Sequence, residues 1–394
     1  MQIPNIGNLV QYEIYQEMLL PEPLPNKMPV VYEEWEEKAR EVLEDSAYYY
    51  IAGGAGAGES MEANLEAFKK WKIIPRMFRN VEERNLSVEL FGKKIPYPVL
   101  QAPIGVQSII HKDGEIASAK ASAELGVPYI ASSAATTPME EIAKAMGDAP
   151  KWFQLYWSKD PNIAKSFIQR AEKAGYDALV ITLDTAMMAW REYDLKHAYL
   201  PFLAGEGVGN YFSDPAFRSK LDDTPENNPT SAIMYWTQIF GNTTLTWDDL
   251  AFIRENTKLP IILKGILHPD DAKLALKHNV DGIIVSNHGG RQVDGAISAL
   301  EALPLIYEVT KGEIPLLMDS GIRRGSDIIK ALALGAEAVL VGRPCMYGLA
   351  VHGEEGVKAV LQHLIADFDL TLGLAGLRSV EEIDSTIIMK SKEF

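Results

Sequence analysis

From residue 99 onward, the hydrophobic and polar positions of the chain alternate between two patterns. Short apolar runs, typical of buried strands, are separated by amphipathic stretches with helical spacing. The predicted strands are Val99–Gly105, Tyr129–Ser132, Trp152–Tyr156, Ala178–Asp184, Pro260–Gly265, Gly282–Asn287, Leu316–Gly321 and Ala338–Arg343. The clearest predicted helices are Gly114–Leu125, Asn162–Ala174, Pro269–His278 and Ser326–Leu334. This α/β alternation predicts a parallel (β/α)8 TIM barrel, with an open doubly wound sheet as the alternative.

Two regions interrupt the alternation, and both belong to the single domain predicted for residues 1–394. Residues 1–95 form a predicted N-terminal arm with helices. Its proline-rich part, residues 1–30, is expected to lie on another surface, with a neighbouring subunit as one candidate, and residues 31–50 have a helical pattern. The barrel itself is assigned to residues 96–380.

The second interruption is an insertion at residues 185–245, which follows the fourth predicted strand. A loop of this length in a compact barrel is usually functional or disordered. The segment is rich in proline, glycine, asparagine and aromatic residues. Its aromatic side chains are interpreted either as a lid over the barrel mouth or as a packing surface between subunits.

The composition restricts the class of partner. The net charge of −16 and the pI of about 5.0 disfavour binding to nucleic acid or to an anionic membrane surface. The single cysteine, Cys345, excludes an internal disulfide and is typical of a reducing compartment. The sequence has neither an N-terminal signal pattern nor a long continuous apolar run. We therefore expect a cytoplasmic protein.

The most informative motif is Ser286–Arg291, with the sequence Ser-Asn-His-Gly-Gly-Arg, directly after the apolar run Gly282–Val285. It brings a base that titrates near neutrality, His288, and a fixed planar cation, Arg291, to one strand end. The two glycines between them allow close approach of a flat ligand. This combination indicates an active site for an organic anion.

Other polar residues lie at the ends of the third, fourth and fifth predicted strands. They are Gln154, Tyr156, Thr182, Asp184 and Lys264. Because a parallel barrel directs the carboxyl ends of all its strands at one basin, we expect these side chains to meet there.

The last two strand ends indicate a second kind of ligand group. The segments Asp319–Gly325 and Gly342–Pro344 bring glycines and arginines to loops that commonly bind phosphate in barrels. Backbone N–H groups and guanidinium groups suit phosphate oxygens. Together with Lys264, they suggest a phosphorylated cofactor with a flat head, and a phosphorylated substrate is the alternative.

A glycine cluster at residues 53–58 invites a different interpretation, that of a nucleotide-binding loop. We reject it because the cluster lacks the Lys-Ser/Thr pair and the G-x-G-x-x-G spacing, and because it follows a predicted helix. A bend that positions a tyrosine, such as Tyr50, fits the pattern better.

These motifs carry a family resemblance. With the highly specific motif Ser286–Gln292, the chain resembles the FMN-dependent α-hydroxy acid oxidising enzymes over about residues 30–380. Further matching segments are Tyr12–Tyr15, Tyr50–Gly54, Ala102–Val106 and Leu263–Ala272. Within the family, the chain is most similar to the bacterial lactate 2-monooxygenases. The resemblance implies FMN as cofactor, a small 2-hydroxy acid and O2 as reactants, and a homotetramer or homo-octamer.

The resemblance also implies a role for each site residue. The catalytic residues would be His288, Asp184, Tyr156 and Lys264, and the substrate-binding residues Tyr50, Arg191, Arg291 and Tyr156. The cofactor-binding residues would be Pro103, Ile104, Gly105, Ser132, Gln154, Thr182, Lys264, Ser286, Asp319, Gly321, Arg323, Gly342 and Arg343. His288 would take a proton while Asp184 stabilises the imidazolium, and Lys264 would face N1 and O2 of the flavin. No metal site is predicted.

Two small residues bear on the outcome of the reaction. Gly105 stands where the oxidases of the family tend to carry Ala, Ser or Thr and where lactate monooxygenase carries glycine. The resemblance therefore implies that pyruvate is retained and decarboxylated to acetate, CO2 and water. Alternatively, Gly105 only eases backbone packing against the ring. Ala134 replaces an aromatic residue of the plant oxidases and implies a roomier pocket.

Three other interpretations remain. A lactate oxidase that releases pyruvate and hydrogen peroxide is the nearest. An NAD-linked or redox-neutral barrel enzyme would need a nucleophilic cysteine in a mid-chain loop, whereas Cys345 lies beyond Arg343. A non-catalytic flavin-binding protein would have no need of His288 and Asp184 beside one basin.

Overall fold

Eight parallel strands form a closed barrel in the computed structural model, which describes residues 5–20 and 28–391. In chain order, the barrel strands are β1 (Val99–Gln101), β2 (Tyr129–Ser132), β3 (Lys151–Leu155), β4 (Ala178–Thr182), β5 (Ile261–Ile266), β6 (Gly282–Val285), β7 (Leu316–Met318) and β8 (Ala338–Val341). Each strand pairs with its successor, and β8 returns to β1, where Val339 is the partner of Val99. This closure confirms the predicted barrel and excludes the open sheet.

Alternate strand residues fill the inside of the barrel, as the two-residue period of a strand requires. Leu100, Ile130, Trp152, Val180, Ile262, Ile284, Leu317 and Leu340 belong to this buried cluster. A hairpin of two short strands, Val88–Leu90 and Lys93–Ile95, packs against this cluster at the N-terminal ends of the barrel strands. Its Phe91 contacts Trp152 edge to face, with ring centroids 5.4 Å apart. The hairpin closes the N-terminal end of the barrel, so the open end lies at the carboxyl ends of the strands.

The predicted strands begin close to the observed ones, but several end too late. The observed strands β1, β4, β6, β7 and β8 stop two to four residues earlier, so the polar and glycine residues that follow them lie in loops. Arg343, predicted as a strand end, begins a helix instead. Apolar residues such as Ala102 and Ile104 continue the hydrophobic run of β1 beyond the observed end of that strand at Gln101, which explains its overestimated length.

Helices surround the barrel and form both interruptions. They are α1 (Ile6–Gln16), α2 (Tyr32–Val42), α3 (Asp45–Ala52), α4 (Glu59–Lys69), α5 (Gly114–Leu125), α6 (Met139–Met146), α7 (Pro161–Lys173), α8 (Glu192–Lys196), α9 (Gly209–Phe212), α10 (Pro215–Arg218), α11 (Pro229–Ile239), α12 (Leu250–Asn256), α13 (Pro269–Lys277), α14 (Ala299–Thr310), α15 (Gly325–Ala333) and α16 (Arg343–Leu374). Helix α5 has its predicted bounds, and α7, α13 and α15 differ from theirs by one residue. The helical pattern of residues 31–50 corresponds to two helices, α2 and α3. No helix in the described ranges is long and apolar enough to span a bilayer.

The described part of the N-terminal arm lies on the chain's own last helix. Helix α1 packs along α16, and the Gly7 N–H donates to Asp369 Oδ2 at 2.8 Å. Arg84 donates from Nε and Nη2 to the same carboxylate at 2.6 and 2.8 Å. Both charged side chains are almost fully buried, with exposed fractions of 7% and 1%, so neither can be removed without leaving the other charge unpaired. Residues 1–4 and 21–27 of the arm lie outside the described ranges.

The insertion folds into the short helices α8 to α11, joined by turns, and an aromatic cluster holds them together. Phe202 stacks on Trp236 with centroids 4.7 Å apart, and Trp236 lies 4.7 Å from Phe240. Tyr211 is fully buried beside Trp236. Because Phe202 and Phe240 also reach the barrel mouth, the aromatic residues of the insertion do contribute a wall to that mouth.

Candidate active site

A large cavity opens at the carboxyl ends of the barrel strands and encloses about 1220 Å³, its open mouth included. This volume is sufficient for a tricyclic ring system with an attached chain and a small acid. The predicted site residues that line it are Tyr50, Pro103, Ile104, Gly105, Ser132, Tyr156, Arg191, Lys264, His288, Arg291, Asp319, Gly321, Arg323, Gly342 and Arg343. The structure therefore brings most of the predicted set to one basin.

The four remaining predicted residues lie behind this lining and support it. Asp184 contacts His288, and Ser286 Oγ accepts a hydrogen bond from Lys264 Nζ at 2.9 Å. Gln154 accepts a bond from Ser132 Oγ at 3.1 Å and donates to Thr182 Oγ1 at 2.9 Å. These contacts fix the rotamers of the side chains that reach the cavity.

His288 sits in an unusual backbone conformation. Its φ of +57° is left-handed, and Gly289 and Gly290 follow with φ of +63° and +74°. The turn is fixed from behind, where the amides of Asn287 and Asn64 exchange two hydrogen bonds of 2.9 Å. A side chain in this conformation costs free energy, and such strain is concentrated at functional sites. The two glycines let the chain turn without adding to this cost.

His288 and Asp184 form a buried pair. The distance from His288 Nδ1 to Asp184 Oδ1 is 2.8 Å, and Thr185 Oγ1 donates to the same oxygen at 2.8 Å. Burial opposes ionisation of Asp184, but His288 and Lys264 outweigh it and lower its pKa to about 2. Burial lowers the pKa of His288 despite the carboxylate beside it. At neutral pH the imidazole is uncharged, with Nδ1–H donating to Asp184 and Nε2 free to accept a proton.

A cationic cluster faces His288 across the cavity. The Arg291 guanidinium lies over the Tyr50 ring, 5.3 Å from its centroid, and donates to the Gly53 carbonyl at 2.8 Å. Arg191 donates to the Arg291 carbonyl at 3.2 Å. Burial, together with Arg191 and Arg343, lowers the pKa of Arg291 to about 9, so it remains charged at neutral pH. Buried cations of this kind suit a carboxylate ligand.

Lys264 is held between two polar partners. Its ammonium lies 3.1 Å from Asp319 Oδ2 and 2.9 Å from Ser286 Oγ. Burial disfavours the charge, but Asp319 and Asp184 raise the pKa, so the lysine stays protonated. A bulge in β5 follows, where Gly265 has a φ of +104°. A Cβ there would lie 2.7 Å from Asp184 Oδ2, which explains the glycine.

The loops after β7 and β8 carry two arginines that line the cavity, as predicted. Arg343 donates to the carbonyls of Ile51, Gly289 and Gly53 at 2.8 to 3.0 Å. Arg323 is different, because its Nε is buried without a hydrogen-bond partner among the described residues. An unpartnered buried donor on a guanidinium suits an anionic oxygen.

The position of Gly105 has a steric cause. A Cβ at Gly105 would lie 2.4 Å from the Ala134 carbonyl oxygen, and one at Gly207 would lie 3.0 Å from the same oxygen. Glu206 accepts hydrogen bonds from Ser108 and Thr136 in the strand-end loops. Gly105 therefore lets the loops after β1 and β2 pack closely, and Gly207 lets the insertion pack against the second of these loops.

Sequence reasoning missed several residues at the site. Met188, Phe240 and Thr185 line the cavity, and Gln292 links Arg191 to the Asp184 carbonyl through bonds of 3.1 and 2.7 Å. The first three lie in or beside the insertion, where no regular pattern marks which side chains turn inward. Gln292 belongs to the central motif Ser286–Gln292, and this position in the motif was the sequence signal by which it could have been found. Within the described ranges, no cluster of metal-ligating side chains was found.

Comparisons with known proteins show the family of the chain. Residues 39–390 match the family described as FMN-dependent dehydrogenase. The chain is 43% identical to an L-lactate oxidase from Lysinibacillus sphaericus, over 92% of this chain and 93% of that protein. It is 46% identical to an FMN-dependent alpha-hydroxy acid dehydrogenase from Penicillium citrinum, over 88% and 87% of the two chains. A crystal structure of mandelate oxidase with 3,3-difluoro-2-hydroxy-3-phenylpropionic acid superposes with a TM-score of 0.81 at 35% identity, covering 93% of this chain and 100% of that one.

The chain belongs to the FMN-dependent α-hydroxy acid dehydrogenase family. It is an FMN-dependent oxidoreductase of 2-hydroxy acids. The residues present fit this cofactor, since Arg323 Nε lacks a partner where a phosphate oxygen would satisfy it, and Lys264 places a protonated ammonium in the basin.

Proposed function

We propose that this chain oxidises L-lactate, retains the pyruvate formed and converts it with O2 to acetate, CO2 and water. The proposal rests on one observation. A largely buried general base with its carboxylate partner, His288 and Asp184, lies at the same cavity as a set of side chains able to bind a substrate carboxylate. When bound, FMN accepts the two electrons of the substrate and passes them to O2. The remaining roles belong to the side chains of this chain.

His288 is the proposed general base. Its Nδ1 is committed to Asp184, so Nε2 takes the proton from the substrate, and the Asp184 carboxylate stabilises the imidazolium that results. Lowering the pKa of the imidazole by burial keeps it uncharged and ready at neutral pH.

Arg291, Arg191 and Tyr50 are the proposed carboxylate clamp. Arg291 and Arg191 supply charge, and the Tyr50 hydroxyl supplies a donor, since burial raises its pKa and keeps it protonated. Tyr156 is the proposed partner of the substrate hydroxyl, and its pKa is raised to about 12 by burial and by Asp184. With the acid held at both groups, its α-hydrogen and hydroxyl lie beside His288.

The proposed flavin site extends from the reacting centre to the β7 and β8 loops. Lys264 would compensate the negative charge that reduction brings to the ring. Asp319, Gly321, Gly342 and the two arginines Arg323 and Arg343, which also line the cavity, would hold the ribityl chain and the phosphate. Residues 103–105 with Ser132, and Gln154, Thr182 and Ser286 behind them, are assigned to the ring itself.

Retention of pyruvate is inferred from the closeness of the insertion to the barrel mouth. The Ala134 carbonyl lies where side chains at Gly105 and Gly207 would be, and Met188, Phe202 and Phe240 line the cavity above it. Hydrogen peroxide that forms beside held pyruvate decarboxylates it, so that lactate and O2 yield acetate, CO2 and water in balance.

The deciding experiment measures the products of L-lactate oxidation in air, with and without catalase. The proposal expects acetate and CO2 in proportion to O2 consumed, and little effect of catalase. Stoichiometric hydrogen peroxide and pyruvate would instead identify a lactate oxidase, the alternative supported by the 43% identity to a protein of that name. Failure of any 2-hydroxy acid to bleach the yellow protein without O2 would contradict both.

Gly105→Ala tests the structural part of this proposal. The added methyl group must displace the Ala134 carbonyl, which opens the contact between the insertion and the barrel. We expect the product to shift from acetate toward pyruvate and peroxide, measured by a peroxidase-coupled assay beside acetate determination. Unchanged acetate yield in a folded variant would show that the glycine serves packing alone.

Assembly and location are also proposed. We expect a homotetramer or homo-octamer in the cytoplasm, with no nucleic acid or membrane partner. Support comes from the exposed apolar side chains Tyr12, Tyr15 and Leu19 at the N-terminal arm, and from the free, buried Cys345. Light scattering of the purified protein tests the assembly, and a monomer would contradict it.

A further inference from the structure

Arg323 separates two cavities. One side of it lines the active-site cavity, and the other side lines a second cavity formed by α1, the start of α2 and α16. The N-terminal segment therefore separates the proposed phosphate end of the active-site cavity from the outside of the barrel. The contacts between this segment and Arg323 determine how well that end of the cavity is closed.

The contact is made by Tyr32, the first residue of α2. The Arg323 guanidinium carbon lies 4.8 Å from the centroid of the Tyr32 ring, which is a cation–π arrangement. Burial raises the pKa of Tyr32 to about 12, although Arg323 acts against this shift, so the hydroxyl stays neutral. The ring thus lies against the guanidinium whose Nε lacks a hydrogen-bond partner among the described residues.

Tyr32 is itself held by a carboxylate one helical turn away. Glu36 accepts hydrogen bonds from the hydroxyls of Tyr32 and Tyr48, both at 3.4 Å, and of Tyr347 at 3.2 Å. Three tyrosine donors around one carboxylate fix its position, and its negative charge acts on Arg343. Tyr32 and Glu36 precede residue 39, where the match to the family begins.

We propose that Tyr32 and Glu36 are positioning residues of the cofactor site, which hold Arg323 in place for the FMN phosphate and slow the release of FMN. The inference rests on the proposed assignment of Arg323 to the phosphate. Tyr32 acts through the face of its ring, and Glu36 acts by keeping that ring against the guanidinium. No contact of either residue with the flavin ring is required.

The test measures the release of FMN from the diluted holoenzyme by the rise of free FMN fluorescence, and repeats it with riboflavin in place of FMN. Tyr32→Leu, which keeps apolar bulk without an aromatic face, should speed FMN release about 10- to 30-fold. Riboflavin release should change less than about threefold, because riboflavin has no phosphate. Tyr32→Phe retains the ring but loses its hydrogen bond to Glu36, so it should speed FMN release about threefold, less than Tyr32→Leu does, and leave riboflavin release unchanged.

Two further variants make the outcome decisive. Glu33→Gln removes the ion pair to Arg324, whose partners are both more than half exposed, and should leave release unchanged. Arg323→Met should speed release of FMN but not of riboflavin. If it does not, the phosphate assignment itself is wrong. If Arg323→Met behaves as expected while Tyr32→Leu does not, or if Tyr32→Leu speeds riboflavin release equally, the present inference is wrong.

Discussion

The charged side chains at the two ends of the cavity differ in their hydrogen-bond partners. At the reaction end, His288 is paired with Asp184, and Arg291 donates to a backbone carbonyl while its charge lies over Tyr50. At the proposed phosphate end, Arg323 Nε is a buried donor with no partner among the described residues. The unpartnered buried atom at the reaction end, Asp184 Oδ2, is instead an acceptor.

The two ends of the cavity therefore suit different kinds of ligand. A preorganised set of side chains suits a transient substrate, since little rearrangement is needed in each turnover. An unsatisfied cation suits a resident ligand, because the penalty of the buried donor is removed when the ligand stays bound. The predictions below separate the ends, beginning with the largest expected effect.

His288→Gln should affect the reaction end alone. Loss of the base is expected to slow anaerobic bleaching of the yellow protein by L-lactate about 10⁴-fold, because no other group in the cavity replaces Nε2. The measurement is stopped-flow absorbance at saturating lactate. FMN release should match that of the parent, and faster release would contradict the separation of the two ends.

Arg343→Met should affect both ends of the cavity. Arg343 lines the proposed phosphate end, and it donates hydrogen bonds to the carbonyl of Gly289, next to His288, and to the carbonyl of Gly53, which Arg291 also contacts. We expect FMN affinity to fall about 100-fold and the KM for L-lactate to rise about threefold. Fluorescence titration and steady-state kinetics measure the two effects. An unchanged KM beside weakened FMN binding would show that the ends are independent.

Tyr50→Phe should weaken only the carboxylate clamp. Removal of one hydroxyl donor to a charged group corresponds to about 1.5 kcal/mol, or a rise in KM for L-lactate of about tenfold. The ring and its contact with Arg291 remain, so kcat should change less. Initial rates across lactate concentrations give both constants, and an unchanged KM would remove Tyr50 from the clamp.

The pH dependence should be the mildest effect. Because burial lowers the pKa of His288 below 6.5, the imidazole loses its proton at a more acidic pH than usual. The rate of bleaching should therefore rise from low pH to a plateau that is already reached near pH 7, with its midpoint below 6.5. A midpoint above that value would mean that Asp184 outweighs burial.

Most of the fold was predictable from the sequence because buried strands and amphipathic helices alternate with clear periods. The strand ends were less predictable, since Ala102 and Ile104 remain apolar beyond the observed end of β1. The helix α1 was not predicted because its buried positions, Gly7 and Val10, are few and its outer face carries Tyr12 and Tyr15. A glycine packed on another helix leaves no hydrophobic signal.

The site was predictable at the strand ends and in the central motif, where the barrel directs every side chain to one basin. Contacts that depend on three-dimensional approach were not. The Ala134 carbonyl between Gly105 and Gly207, and the ring of Tyr32 beneath Arg323, join segments that are distant in sequence. No local pattern distinguishes these residues from ordinary packing residues.

The hairpin formed by residues 88–95 closes one end of the barrel in which the reaction is proposed to take place. Leu90, Phe91 and Ile95 plug that end, so reactants and products are exchanged at the opposite end, where the cavity opens. Because pyruvate carries the same carboxylate as L-lactate and would bind the same proposed clamp, added pyruvate should inhibit competitively with respect to L-lactate.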